Sequence, residues 1–171
     1  MIIKLTNINL NNLKSVEADI LLNKKLTNIS PSNMYEILFD CESFDSIFNI
    51  FLQSVKDYTN DNFDVYIKNM WGYIQTPNEN DSINFNINFK NQITIPSNYS
   101  FIYLVKSNAT NIDLKKENGD VEKILLNEGD LLIFNTKDFL TDVSTDKNRI
   151  ILIGSIAECL KDPEPIKKVL L

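Results

Sequence analysis

Apolar residues recur along this chain in two rhythms, and the change between them falls near residue 60. Before it, Phe44, Ile47, Phe48, Phe51, Val55 and Tyr58 follow one another at spacings of three and four, which lays one apolar stripe along a helix. Glu42-Ser43 offers a cap, so a helix is predicted over 43–59, with core packing as the default role of its stripe. From Phe63 the period drops to two. Val65 and Ile67 share one side, and a strand runs on through Trp71, Tyr73 and Ile74. Beyond the Pro77–Asp81 loop, strands are predicted near 82–90, 92–95, 100–106, 111–116, 121–126, 130–135 and 149–157. Turns rich in Asn, Gly and Asp separate them, as in Glu117-Asn118-Gly119-Asp120. Short strands at this spacing indicate a sandwich or jelly roll, not βαβ units. Gly129-Asp130 feeding Leu131–Phe134, then a polar loop, then Arg149–Ile153 reads as the closing hairpin of such a roll.

The ends of the chain are less regular. Residues 1–25 alternate weakly (Ile3 and Leu5, then Val16, Ala18 and Ile20), which predicts two strands around Asn11-Asn12. Ser30-Pro31-Ser32-Asn33 breaks the chain, and Lys161-Asp162-Pro163-Glu164-Pro165 stops the last strand. Three parts are expected: 1–62 packed on the roll, the roll itself over 63–158, and a tail over 159–171. The apolar pieces Ile2-Ile3 and Val169-Leu170-Leu171 have no evident place in a minimal roll.

Composition narrows the partners. With 171 residues, 43% hydrophobic and 23% charged, the chain can bury a core without cross-links. Its net charge is −6, and Arg149 is its only arginine, so a nucleic-acid surface is not expected. Heavy use of Lys, Asn and Ile beside scarce Arg, Gly and Ala is the mark of an AT-rich genome. Cys41 and Cys159 stand far apart in no ligand-like spacing and are expected to be reduced. No signal peptide is read in the first residues, and the longest apolar run, Ile150–Ile156, is too short to span a membrane. The four glycines never cluster, so no phosphate loop appears, and the carboxylates Asp138, Asp142 and Asp146 read as a solvated acidic loop.

Residues 64–157 resemble the iron- and 2-oxoglutarate-dependent oxygenases of the prolyl-hydroxylase-like type, above all their phage-encoded branch. The resemblance rests on Trp71, Pro77, Ser100-Phe101-Ile102-Tyr103-Leu104, Gly129–Phe134, Val143 and Arg149. It implies a mainly β fold, a double-stranded β-helix with an α/β N-terminal portion. In the family, two histidines and a carboxylate hold iron on one face of an octahedron. Here the first ligand pair falls on Asn84 and Asn86, and the distal ligand falls near Thr141, with Leu140 as the neighbouring choice. The sequence has no histidine. Carboxamides and a hydroxyl are weak neutral ligands, so the resemblance implies vestigial metal positions, no metal and no cofactor. Missing histidine also removes the Ser-His-Asp and Cys-His nucleophile systems.

By the same resemblance Arg149 corresponds to the residue that grips the distal carboxylate of 2-oxoglutarate. It reads either as a retained acid-binding group, with Tyr73 and Tyr103 as companions, or as a remnant paired with Asp142 or Asp146. Trp71, Tyr73 and Tyr103 also read as plain core aromatics. Asn84, Asn86 and Asn88 share one face of their strand, as a polar filler of the vacated site or as the lining of a small pocket. The function expected is that of a non-catalytic roll, a structural component of a phage virion at the neck, tail or baseplate. Its partners are other proteins in an oligomeric assembly, with neither nucleic acid nor membrane. A metal-free dicarboxylate-binding or regulatory protein, located in host cytoplasm, is the alternative, and a residual oxygenase is the third reading.

Overall fold

The computed structural model describes residues 2–8, 13–26, 34–36, 42–57, 63–75, 98–107, 110–142 and 148–160. In chain order these form β1 (Ile2–Leu5), α1 (Leu13–Leu26), β2 (Met34–Glu36), α2 (Glu42–Lys56) and β3 (Phe63–Gln75). There follow β4 (Tyr99–Lys106), β5 (Thr110–Lys115), β6 (Val121–Leu126), β7 (Leu131–Asn135), β8 (Phe139–Asp142) and β9 (Arg149–Leu160). A six-stranded sheet runs β1-β7-β4-β9-β3-β2 and a three-stranded sheet runs β6-β5-β8, with every pairing antiparallel. The expected strands at 82–90 and 92–95, the Asn11-Asn12 turn and the tail segment Val169–Leu171 lie outside the described residues.

The fold is mainly β with two facing antiparallel sheets, and the two helices cover the outer face of the larger one. The register shows how. Opposed residues of antiparallel strands share a face, so Tyr103 with Leu152 and Phe101 with Ile133 belong to the helix side. They pack with Phe44, Ile47, Phe51 and Val55 of α2 and with Val16 and Ile20 of α1. Ile102 with Ile153 and Leu104 with Ile151 face the other way, into the space between the sheets. There they meet Ile112, Leu114, Ile124 and Leu126 of the smaller sheet. Each such side chain, once buried, contributes about 1.5–3 kcal/mol relative to exposure. A sheet covered on both faces loses its polar alternation, and β4 is buried from Ser100 through Val105.

Three expectations are corrected. Residues 13–26 form a helix and not a second N-terminal strand: Leu13, Val16 and Ile20 are three and four apart, and Ala18, which completed the alternation, is exposed. Ile2-Ile3 is not homeless, because β1 adds to the edge of β7 and buries Ile3. The predicted β7–β9 hairpin is absent, since both strands flank β4, and the chain between them crosses to the smaller sheet as β8. One bulge also matters. Between Ile67 and Asn69 the pairing of β3 with β9 shifts by a residue. Val65 and Ile67 pack on the helix side before it, whereas after it the helix side holds Met70 and Ile74. Trp71 and Tyr73 thereby turn to the interior.

Candidate functional site: the interior of the roll

Arg149 opens β9 opposite Gln75, and two residues on Ile151 opposes Tyr73. Arg149 alternates with Ile151 and Ile153, so it lies on the interior face, where Tyr73 also sits. Their backbones are diagonal neighbours across the β3–β9 ladder, about 7–8 Å apart by strand geometry. Only 1% of Arg149 and 3% of Tyr73 is exposed. A guanidinium is seldom buried without anionic or carbonyl partners, and both side chains take part in further interactions.

Tyr103 is not part of this group. It lies on the helix side of the sheet, where its hydroxyl donates to the Ile8 carbonyl at 2.7 Å and its ring meets Phe51 edge-on at 5.6 Å. Burial raises its hydroxyl pKa well above the ordinary tyrosine value. Of the three expected ligand-binding residues, the structure brings together Arg149 and Tyr73 and sets Tyr103 behind the sheet.

The vestigial metal positions divide similarly. Asn84 and Asn86 lie outside the described residues. On β8, Thr141 is opposed to Asp113, whereas Leu140 is opposed to Leu114. Leu114 is buried in the interior and Asp113 stands on the other face of β5. Leu140 and Thr141 thus take successive register positions of β8 along β5. Iron does not fit this donor set: the sequence holds no histidine, and the positions that correspond to its ligands by resemblance are Asn84, Asn86 and Thr141. Among the described residues, no three His, Cys, Asp or Glu side chains gather as metal ligands.

Three buried polar residues were given no role at the site from the sequence. Ser100 and Ser155 oppose each other on the interior face, six residues along β9 from Arg149. Asp130, 1% exposed, accepts the Asn127 backbone N–H at 2.9 Å and the Asn7 N–H at 3.4 Å. Lys4 Nζ lies 3.4 Å from the same carboxylate and donates to the Leu125 carbonyl at 2.6 Å, tying β1 to β6. Gly129, at φ 80°, supplies the left-handed turn before Asp130. A polar residue at each end of an apolar strand was the available signal for the serines. A crevice of about 640 Å³ opens at the serine end, lined by Ile2, Lys116, Glu117, Asn118, Glu122, Asn135 and Asp138. Within it Lys116 and Glu122 are 2.9 Å apart, a hydrogen-bonded pair that raises the lysine pKa.

By sequence, no protein-family profile and no curated protein matches the chain. By structure, it is similar to a prolyl-4-hydroxylase from Pseudomonas putida, with a TM-score of 0.63, 9% identity and 91% of each chain covered. A prolyl hydroxylase from Trichoplax adhaerens, solved with a hypoxia inducible factor peptide, gives 0.65 and 13%, covering 91% of this chain and 83% of the other. A viral collagen prolyl hydroxylase from Paramecium Bursaria Chlorella virus-1 gives 0.59 and 13%, covering 94% and 90%. The fold is that of the 2OG-Fe(II) oxygenases. At these identities the likeness shows the fold alone. On the oxygenase fold the larger sheet carries Arg149 and Tyr73 inward at one end, with a core of Ile and Leu behind them.

Proposed function

We propose that this chain is a non-catalytic protein on the oxygenase fold that works through protein contacts, as a structural component of a phage virion at the neck, tail or baseplate. The observation that carries the non-catalytic part is a chain without histidine. With carboxamides at the paired positions Asn84 and Asn86 and a hydroxyl or a hydrocarbon at the distal one, ferrous iron has no ligand set. The aliphatic filling between the sheets and the helix layer outside make a rigid block, which suits assembly. The net charge of −6 suits contact with protein more than with packaged DNA. Mass spectrometry of purified virions tests the location: the chain is expected in particles, and its presence only in the soluble fraction of infected host cells overturns the virion reading. Iron analysis with succinate detection tests the chemistry, and stoichiometric iron with 2-oxoglutarate turnover would falsify it.

Arg149 favours a second reading. A guanidinium 1% exposed on the interior face beside Tyr73 is suited to hold a dicarboxylate without metal. Calorimetry with 2-oxoglutarate or succinate on wild type and Arg149→Ala decides it. Binding lost in the variant supports the site; equal binding in both excludes it.

A further inference from the structure

The smaller sheet ends in β6, whose outer edge carries the Lys4 ammonium on the Leu125 carbonyl and otherwise has no strand beside it among the described residues. Lys116 N–H donates to Asp120 C=O at 2.7 Å and closes the β5–β6 hairpin. Counting from that pair, the residues of β6 that bond to β5 are Glu122, Ile124 and Leu126, and the backbone groups of Val121, Lys123 and Leu125 point away from it. The Lys4 ammonium, bound to the Leu125 carbonyl, marks that outward direction. Among the described residues no strand pairs with this edge. The same three residues share the outer face: Val121 is 54% and Leu125 46% exposed, and Lys123 stands between them. Ile124 and Leu126, of opposite parity, are buried.

An exposed edge with apolar side chains is a template for another strand. Charge decides which. A second copy pairing antiparallel with faces preserved, and with Val121 against Leu125, sets Lys123 against Lys123 at the two-fold axis, which is unfavourable. Across the hairpin Lys123 opposes Asp113, and a partner strand with a carboxylate against Lys123 from the open side extends that alternation.

We propose that the β6 edge docks an extended segment of a different protein, carrying apolar residues two places either side of an acidic one, as a further strand of the smaller sheet. This rests on the reading of the chain as a contact-making block. Particle mass spectrometry tests that reading and peptide binding tests the edge alone, so either can fail without the other.

The probe is a labelled seven-residue peptide with valines flanking a central glutamate at alternate positions and threonines between, followed by fluorescence anisotropy. Saturable binding is expected, roughly tenfold weaker for the peptide with central lysine. In Lys123→Glu the preference should reverse, and in Lys123→Gln it should vanish with folding intact by circular dichroism. No saturable binding, or the same preference in wild type and both variants, overturns the proposal. So does concentration-dependent dimerisation of wild type by sedimentation that Val121→Asp abolishes, which would give the edge to a second copy.

Discussion

On its helix side the larger sheet holds a cluster of interlocked rings set among aliphatic chains, and on its interior side a mainly aliphatic filling with polar residues at either end. Phe51 sits edge-on to Phe101 at 5.0 Å and to Tyr103 at 5.6 Å, and Phe44 stacks on Phe48 at 5.6 Å. Interlocked rings of this kind fix helix α2 on the sheet by shape, with one hydroxyl satisfied by a backbone carbonyl. The interior holds Ile102, Leu104, Leu114, Leu126, Ile151 and Ile153 between Arg149 at one end and the Ser100–Ser155 pair at the other. The lesson is positional. The helix side is locked by rings among aliphatic chains, whereas the buried polar side chains of the interior stand where its aliphatic filling stops.

The comparison breaks most visibly at Phe51, fully buried against two rings. Phe51→Ala is expected to cost about 3–5 kcal/mol in urea denaturation. Leu114→Ala, fully buried on the interior side, is expected to cost about 2–4 kcal/mol. A cost under about 1 kcal/mol there would mean a slack interior that keeps space for a ligand, and the contrast between the faces would be lost. Tyr103→Phe leaves the Ile8 carbonyl without its donor and should cost about 1–2 kcal/mol, with little change in ring packing.

The smallest effect is alkaline. Burial first, then the 2.6 Å bond to Glu158 and that carboxylate's charge, push the Tyr99 hydroxyl from 10.0 up to about 12. A pKa raised on folding means that the protonated form favours the fold. The contribution is whole below pH 10.0 and is lost as pH rises through about 12. Beside Tyr103, which burial also raises, absorbance titration should show a late tyrosine that disappears in Tyr99→Phe; a Tyr99 midpoint near 10 would place that ring in water.

Much of the fold was legible in the pattern of residues. The stripe from Phe44 to Val55 gave α2, and the turns at Glu117–Asp120 and Asn127–Asp130 gave β5, β6 and β7. Residues 13–26 were misread because Val16 and Ile20 fit a helical stripe and, through Ala18, period two as well, and only packing against the sheet decides between them. The four residues of β8 carry too little apolar pattern to stand out from a loop. At the site, the parity of Arg149 with Ile151 and Ile153 was readable once β9 was placed. The face of Tyr103 was not, because β4 is buried on both sides and its alternation is erased. The bulge after Ile67 was equally hidden, and it alone turns Tyr73 toward Arg149.

The pairing of β1 with β7 has a consequence for how the chain is made. Ile2 and Phe134 are register partners, so β1 must wait for a partner synthesised some 130 residues later. At the usual pace of translation that delay is about 7–26 s. For that interval Ile2, Ile3 and Leu5 have no sheet to join, whereas the β5–β6 hairpin can close on its own within microseconds of emerging. The β1–β7 pairing is therefore among the slow, long-range closures of this sheet, and local hairpins precede it.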